Sequence, residues 1–138
     1  MAPSGWTLLS GPARRRRFWL TSPPPRGPHD LVAAALEHGR LDILVNNVGA
    51  VTPRLGGFLS VTDDDWLFSL MLNLLAAVRT TRAALATMLA AGHGNIVTTS
   101  SVNAFLPAPA VIDYSATKAA LANFCKSLSK ESRPTTSA

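Results

Sequence analysis

The feature that most constrains this chain is an ordered alternation of patterns. A short apolar run at residues 41–46 ends in Asn46-Asn47, and apolar residues then recur at helical spacing from Trp66 to Leu89. A second short run at 95–99 ends in Ser100-Ser101, and a second helical pattern covers 111–130. Strand, helix, strand, helix in that order builds βαβ units around a parallel sheet. Ile43-Leu44-Val45 is continuously apolar and does not alternate, which predicts a parallel strand covered on both faces.

Punctuation residues place the boundaries. Asp30 is the expected N-cap of a helix over 31–38, with Gly39 as its stop. Residues 49–60, with Pro53, Gly56 and Gly57, form a loop. Thr62 is the N-cap of the long helix, and Asp63, Asp64 and Asp65 suit the positive end of its dipole. Gly92 and Gly94 end that helix, a second loop covers 105–109, and Pro134 stops the last helix. Leu121, Phe124, Cys125 and Leu128 share one side of it. With 138 residues the chain suits one modest domain. We assign 1–29 to an irregular Pro/Arg-rich leader, with a possible short strand at 18–20, 30–132 to the domain, and 133–138 to a disordered tail.

The chemistry-bearing residues sit at the ends of these elements. Tyr114 and Lys118 are four apart in a helical pattern, so their side chains share a face. An ammonium beside a phenol favours the phenolate, which suits acid–base work. Ser101 lies just past the second strand, thirteen residues before Tyr114, where ligands bind in open parallel sheets. Its hydroxyl could meet an oxygen on which charge develops; as a structural residue it would cap a turn. Ser100 competes with it, but the spacing favours Ser101. Asn73 is a poor residue for a helix interior, so a kink, a buried hydrogen bond or a proton relay must account for it. Tyr-x-x-x-Lys alone describes many ordinary helices.

Taken together, Asn46-Asn47-Val48-Gly49 after a strand, Asn73 in the next helix, Ser101 after the next strand and Tyr114-x-x-x-Lys118 resemble the short-chain dehydrogenase/reductase family over about residues 31–131. Valine at 48 stands where the family has alanine. The resemblance implies an α/β, partial Rossmann-like fold: a doubly wound parallel sheet lacking its N-terminal Gly-rich strand–turn–helix and its C-terminal strands. It implies an NAD(P)-dependent oxidoreductase acting on a small alcohol or ketone. Tyr114 would be the acid and base, and Lys118 would hold the nicotinamide ribose and support Tyr114. Ser101 would orient the substrate oxygen, and Asn73 would hold a relaying water. Asn46 and Asn47 would bond neighbouring backbone and Gly49 would let the cofactor approach; with Tyr114 and Lys118 these make the cofactor-binding set. NAD and NADP are not distinguished.

Other classes are disfavoured. The net charge of +5 is concentrated in Arg14 to Arg17 and Arg26, with no nucleic-acid reading element beside it. His29, His38 and His93 lack metal-ligand spacing. No uninterrupted apolar stretch of 18 residues is present, so no membrane-spanning helix is expected. One cysteine, Cys125, excludes an internal disulfide and is expected to be a buried thiol. The expected location is cytoplasmic; mitochondrial targeting by the Arg-rich start is the alternative.

Residues 1–40 hold no Thr-Gly-x-x-x-Gly-x-Gly turn, and the family pattern is lost after Glu131. The second functional reading is therefore a truncated, inactive fragment, from a shortened gene product or a disturbed reading frame, that cannot hold the dinucleotide. The two strands would then pair with each other and leave apolar edges. Homo-oligomers through residues 63–91 and 111–130 are expected.

Overall fold

The computed structural model describes residues 27–37 and 39–131. Its elements run α1 (Gly27–Leu36), β1 (Ile43–Asn46), α2 (Asp63–Leu70), a π-helical turn (Met71–Leu75), α3 (Ala76–Ala91), β2 (Asn95–Thr98) and α4 (Ile112–Glu131). The architecture is α/β, with β1 and β2 paired in a small parallel sheet, as the alternating pattern predicts. The expected strand at 18–20, the leader before residue 27 and the tail from 132 lie outside the described residues.

Contacts divide the described residues into two compact units, one containing those up to Val48 with Ala76–Val97, the other Gly49–Leu75 with those from Thr98. The first unit packs around Val32, Leu44, Ala84 and Met88, with Leu36, Leu41, Ala83 and Ile96 against them. Its buried polar pair is Asn46 and Thr81, the asparagine Nδ2 donating to Thr81 Oγ1 at 3.0 Å. Gly94 immediately precedes β2, and a Cβ there would come within 2.6–2.7 Å of the Met88 side chain. Glycine is thus what lets the strand start against α3.

Three expectations change. α1 begins at Gly27, inside the segment assigned to the leader, and Asp30 lies in its first turn and is not its cap; a carboxylate there still favours the helix dipole. β1 is covered on one face only: Leu44 and Asn46 are buried while Ile43 and Val45 are each 55% exposed. A continuous apolar run shows that both faces tolerate burial, not that the described residues supply both covers. Cys125 is half-buried, because only Leu121 of its expected stripe lies in the interior.

The helical run Asp63–Ala91 also passes for a membrane span by length and composition alone, with a mean hydropathy of 1.3 over its most apolar window. The expectation that no such helix exists fails on that averaged measure, which tolerates scattered polar residues. Core helices have the same composition. In this one Ser69, Asn73, Thr80 and Thr81 are buried with hydrogen bonds to protein groups.

The second unit is built from α2, the π turn, α4 and the loops before them. Thr62 caps α2 as its position predicts. Its hydroxyl accepts from Asp65 N while its own N–H donates to Asp65 Oδ2 at 3.0 Å, a reciprocal capping box. The 49–60 loop ends in a 3-10 turn, Phe58–Ser60. Two more, Val102–Ala104 and Pro109–Val111, lead into α4.

Candidate functional site

Asn73, Ser101, Tyr114, Lys118 and Gly49 all fall in the second unit. Asn73 is the buried centre of the π turn. Its Oδ1 accepts the N–H of Ala50 at 2.9 Å, and its Nδ2 donates to Ser69 Oγ at 3.3 Å. Of the structural explanations for this helix-interior asparagine, the buried hydrogen bond is present, to Ser69, and the residue sits in a π turn of the helix.

Lys118 is only 4% exposed, on α4. Its Nζ donates to the carbonyl oxygen of Thr99 at 3.1 Å and lies 5.8 Å from the centre of the Tyr114 ring, within cation–π range. The four-residue spacing on one helix accomplishes this pairing. Tyr114 itself is half-buried. Gly49 lies against the same group. A Cβ at Gly49 would stand 3.0 Å from Asn73 Oδ1 and 3.3 Å from Lys118 Nζ, so this glycine makes room for the chain's own side chains.

Ser101 follows β2 and caps the next 3-10 turn, its Oγ accepting from Asn103 N at 3.2 Å and donating to Asn103 Oδ1 at 3.3 Å. The turn-hydroxyl role weighed for it is therefore present. Asn103 Nδ2 and Ala108 N in turn donate to the buried Ser115 Oγ, each at 3.4 Å, which ties the serine loop to α4. Asn46 and Asn47 belong to the first unit; Asn46 is buried on Thr81 and Asn47 is exposed. Among the described residues no group of three or more potential metal ligands gathers.

Sequence reasoning missed one cluster. Arg54 donates to Asp113 Oδ2 through Nη2 at 2.7 Å and Nε at 3.3 Å, and to Asp65 Oδ1 through Nη1 at 2.8 Å. Its backbone N donates to Ala110 O at 2.6 Å. The Arg54 and Asp113 side chains are 12% and 2% exposed. Burial pushes the Asp113 carboxyl up, but the Arg54 hydrogen bonds and charge, together with the backbone N–H groups of Tyr114 and Asp113, outweigh it and hold the group below its ordinary value. Asp113 holds the Arg54 proton more firmly than usual, burial opposing and Asp65 adding to the hold. A signal was available, since Asp113 is the only acidic residue between Asp65 and Glu131.

A family model described as short chain dehydrogenase matches residues 28–136. The chain is 39% identical over 105 residues to the human dehydrogenase/reductase SDR family member 4. It is 42% identical over 106 residues to the oxidoreductase UcpA of Escherichia coli K12. These alignments take in 75% and 72% of this chain but only 37% and 40% of the relatives' lengths. A solved 3-oxoacyl (acyl-carrier-protein) reductase of Agrobacterium tumefaciens with NADP bound superposes with a TM-score of 0.71 at 32% identity, over 77% of this chain and 40% of that one.

Proposed function

The chain belongs to the short-chain dehydrogenase family, and we propose that it carries the proton-transfer residues of a nicotinamide-dependent oxidoreductase acting on an alcohol/carbonyl pair, with Tyr114 as acid and base. The observation that carries this reading is the buried ammonium of Lys118, anchored on the Thr99 carbonyl and set over the ring of Tyr114.

The donor set fits the ribose end of a nicotinamide dinucleotide, NAD or NADP. An ammonium has three N–H groups, and among the described residues one of them is taken, by Thr99. The others are free to hold ribose hydroxyls. Glycine at 49 sets no side chain of its own against that ammonium, where a Cβ would stand 3.3 Å from Nζ. When bound, the dinucleotide supplies or accepts the hydride.

The chain's own residues would handle the proton. Tyr114 gives a proton to the carbonyl oxygen during reduction and takes one from the hydroxyl during oxidation. Lys118 places a positive charge near the oxygen that turns negative once that proton leaves. Ser101 holds its hydrogen on Asn103 through a long bond of 3.3 Å, weak enough to yield to a substrate oxygen on which charge is growing. Asn73 serves the site by fixing Ala50, and the second lone pair of its Oδ1 is what remains for a relaying water.

The test is turnover of a panel of secondary alcohols and ketones with NAD(H) and NADP(H), compared with the Tyr114→Phe variant. Turnover that vanishes in the variant supports the reading, and full activity in Tyr114→Phe ends it. A second reading, association through helices 63–91 and 111–130 without turnover, is favoured by the exposure of Leu67, Phe68, Met71 and Leu89. Sedimentation velocity together with calorimetric titration of both dinucleotides separates the two: tight dinucleotide binding counts against the second reading.

A further inference from the structure

Segment 49–54 lies against Lys118 at one end and is bonded at the other to the residue before Tyr114. At its start Gly49 lies against Lys118, and Ala50 is held by Asn73. At its end Arg54 is held twice: its backbone N donates to Ala110 O, in the 3-10 turn that leads into α4, and its guanidinium to Asp113 in the first turn of α4, the residue before Tyr114. The third guanidinium nitrogen reaches Asp65, which closes the cap of α2. Asp113 Oδ2 takes both Arg54 contacts, while Oδ1 is buried with no hydrogen-bond partner among the described residues. Arg54 is therefore the cation that compensates this carboxylate. A planar fork reaching two carboxylates fixes direction as well as charge.

We infer that Arg54 is a positioning residue, acting through Asp113 to set the first turn of α4 and so the place of Tyr114 relative to Lys118. This rests on the functional reading above. A brace of this kind differs from a mere stabilising ion pair in one respect. Replacing a buried pair by neutral groups leaves stability nearly unchanged, but it also removes the directional hold. Small displacements of a reacting group cost rate steeply.

The test uses the whole chain carrying Arg54→Met, Asp113→Asn, or both. Arg54→Met alone should lose stability, because it strands a buried carboxylate. The double variant should recover most of that stability, yet keep kcat lower by about ten- to a hundredfold while KM for the dinucleotide stays within about twofold. A double variant that recovers kcat along with stability overturns the inference. Tyr114 is the single tyrosine of the chain, so ring signals of carbon-13 tyrosine-labelled protein belong to it alone. They should shift or broaden in the stably folded double variant, and signals identical to wild type overturn the inference whether or not any substrate turns over. Absence of turnover in the wild type together with moved tyrosine signals sinks the functional reading and upholds the brace. Should the double variant not fold, Arg54→Lys replaces it. Lysine keeps the charge but lacks the rigid planar fork that fixes the direction of both contacts, so it should give the same direction of signal change, and an unmoved signal counts against the brace.

Discussion

The side-chain oxygen of Asn73 accepts the backbone N–H of Ala50 at 2.9 Å, across twenty-three positions of sequence. One part-buried hydrogen bond thus joins the π turn of the long helix to the loop that begins at Gly49. Replacing Asn73 by Leu would remove that bond and leave the exposed Ala50 N–H to water, and we expect a loss of about 1 kcal/mol. Urea unfolding of the variant measures it. A midpoint equal to wild type would show that the bond contributes nothing net.

Gly49→Ala tests the space between Asn73 and Lys118. The added methyl would sit 3.0 Å from Asn73 Oδ1 and 3.3 Å from Lys118 Nζ, so one of them must give way. The lysine end is the more flexible. We expect the ammonium to be displaced, weaker dinucleotide binding by calorimetry and a destabilisation of about 1 kcal/mol. Unchanged affinity would mean that the lysine does not hold the cofactor.

Lys118→Met keeps the length and apolar stem of the side chain but removes the donor to Thr99 and the charge over Tyr114. Under the proposed function turnover should fall by about a hundredfold or more, while circular dichroism still shows the folded helix content. Turnover near wild type would remove Lys118 from the chemistry.

The two carboxylates that share Arg54 make a pH prediction. The N–H and hydroxyl of Thr62, with Arg54, hold Asp65 below its ordinary value of 3.8. Asp113, against the opposing effect of burial, is held below it by Arg54. A folded-state value lower than the unfolded one means that the unfolded state binds protons more readily. Their contribution is therefore complete above about pH 4 and is lost as pH falls through the lower folded values. Urea midpoints measured from pH 6 to pH 3 should drop at the acid end, and Asp113→Asn should flatten that drop. An equally steep drop in Asp113→Asn would mean that other groups are responsible.

Thr62→Ala removes the hydroxyl half of the capping box, because its Oγ1 accepts from Asp65 N at 3.2 Å. A loss of about 1 kcal/mol is expected from thermal or chemical unfolding. Thr62 is exposed, so no cavity adds to that loss.

Local rules made much of this legible. The cap at Thr62, the strand starting at Asn95, and Tyr114 and Lys118 on one face of α4 follow from spacing and capping chemistry, which act within a few residues. Asn73 announced itself because asparagine is costly in an apolar helix. Its π turn and its bond to Ala50 did not, since either a kink or a distant partner would have satisfied it. Gly49 stood out as the glycine of a motif, yet its neighbours, Asn73 and Lys118, are twenty-four and sixty-nine positions away.

By itself, then, the sequence determined the α/β order of elements, the pairing face of α4 and the residue types able to move a proton. Tertiary structure decided which of those groups meet and what holds them: Lys118 on the carbonyl of Thr99, Asn73 on the N–H of Ala50, Arg54 between Asp65 and Asp113. The physical reason lies in range. Propensity, capping and periodicity are set by neighbours along the chain, whereas a buried charge is tolerable only where folding delivers a distant opposite charge or a spare carbonyl.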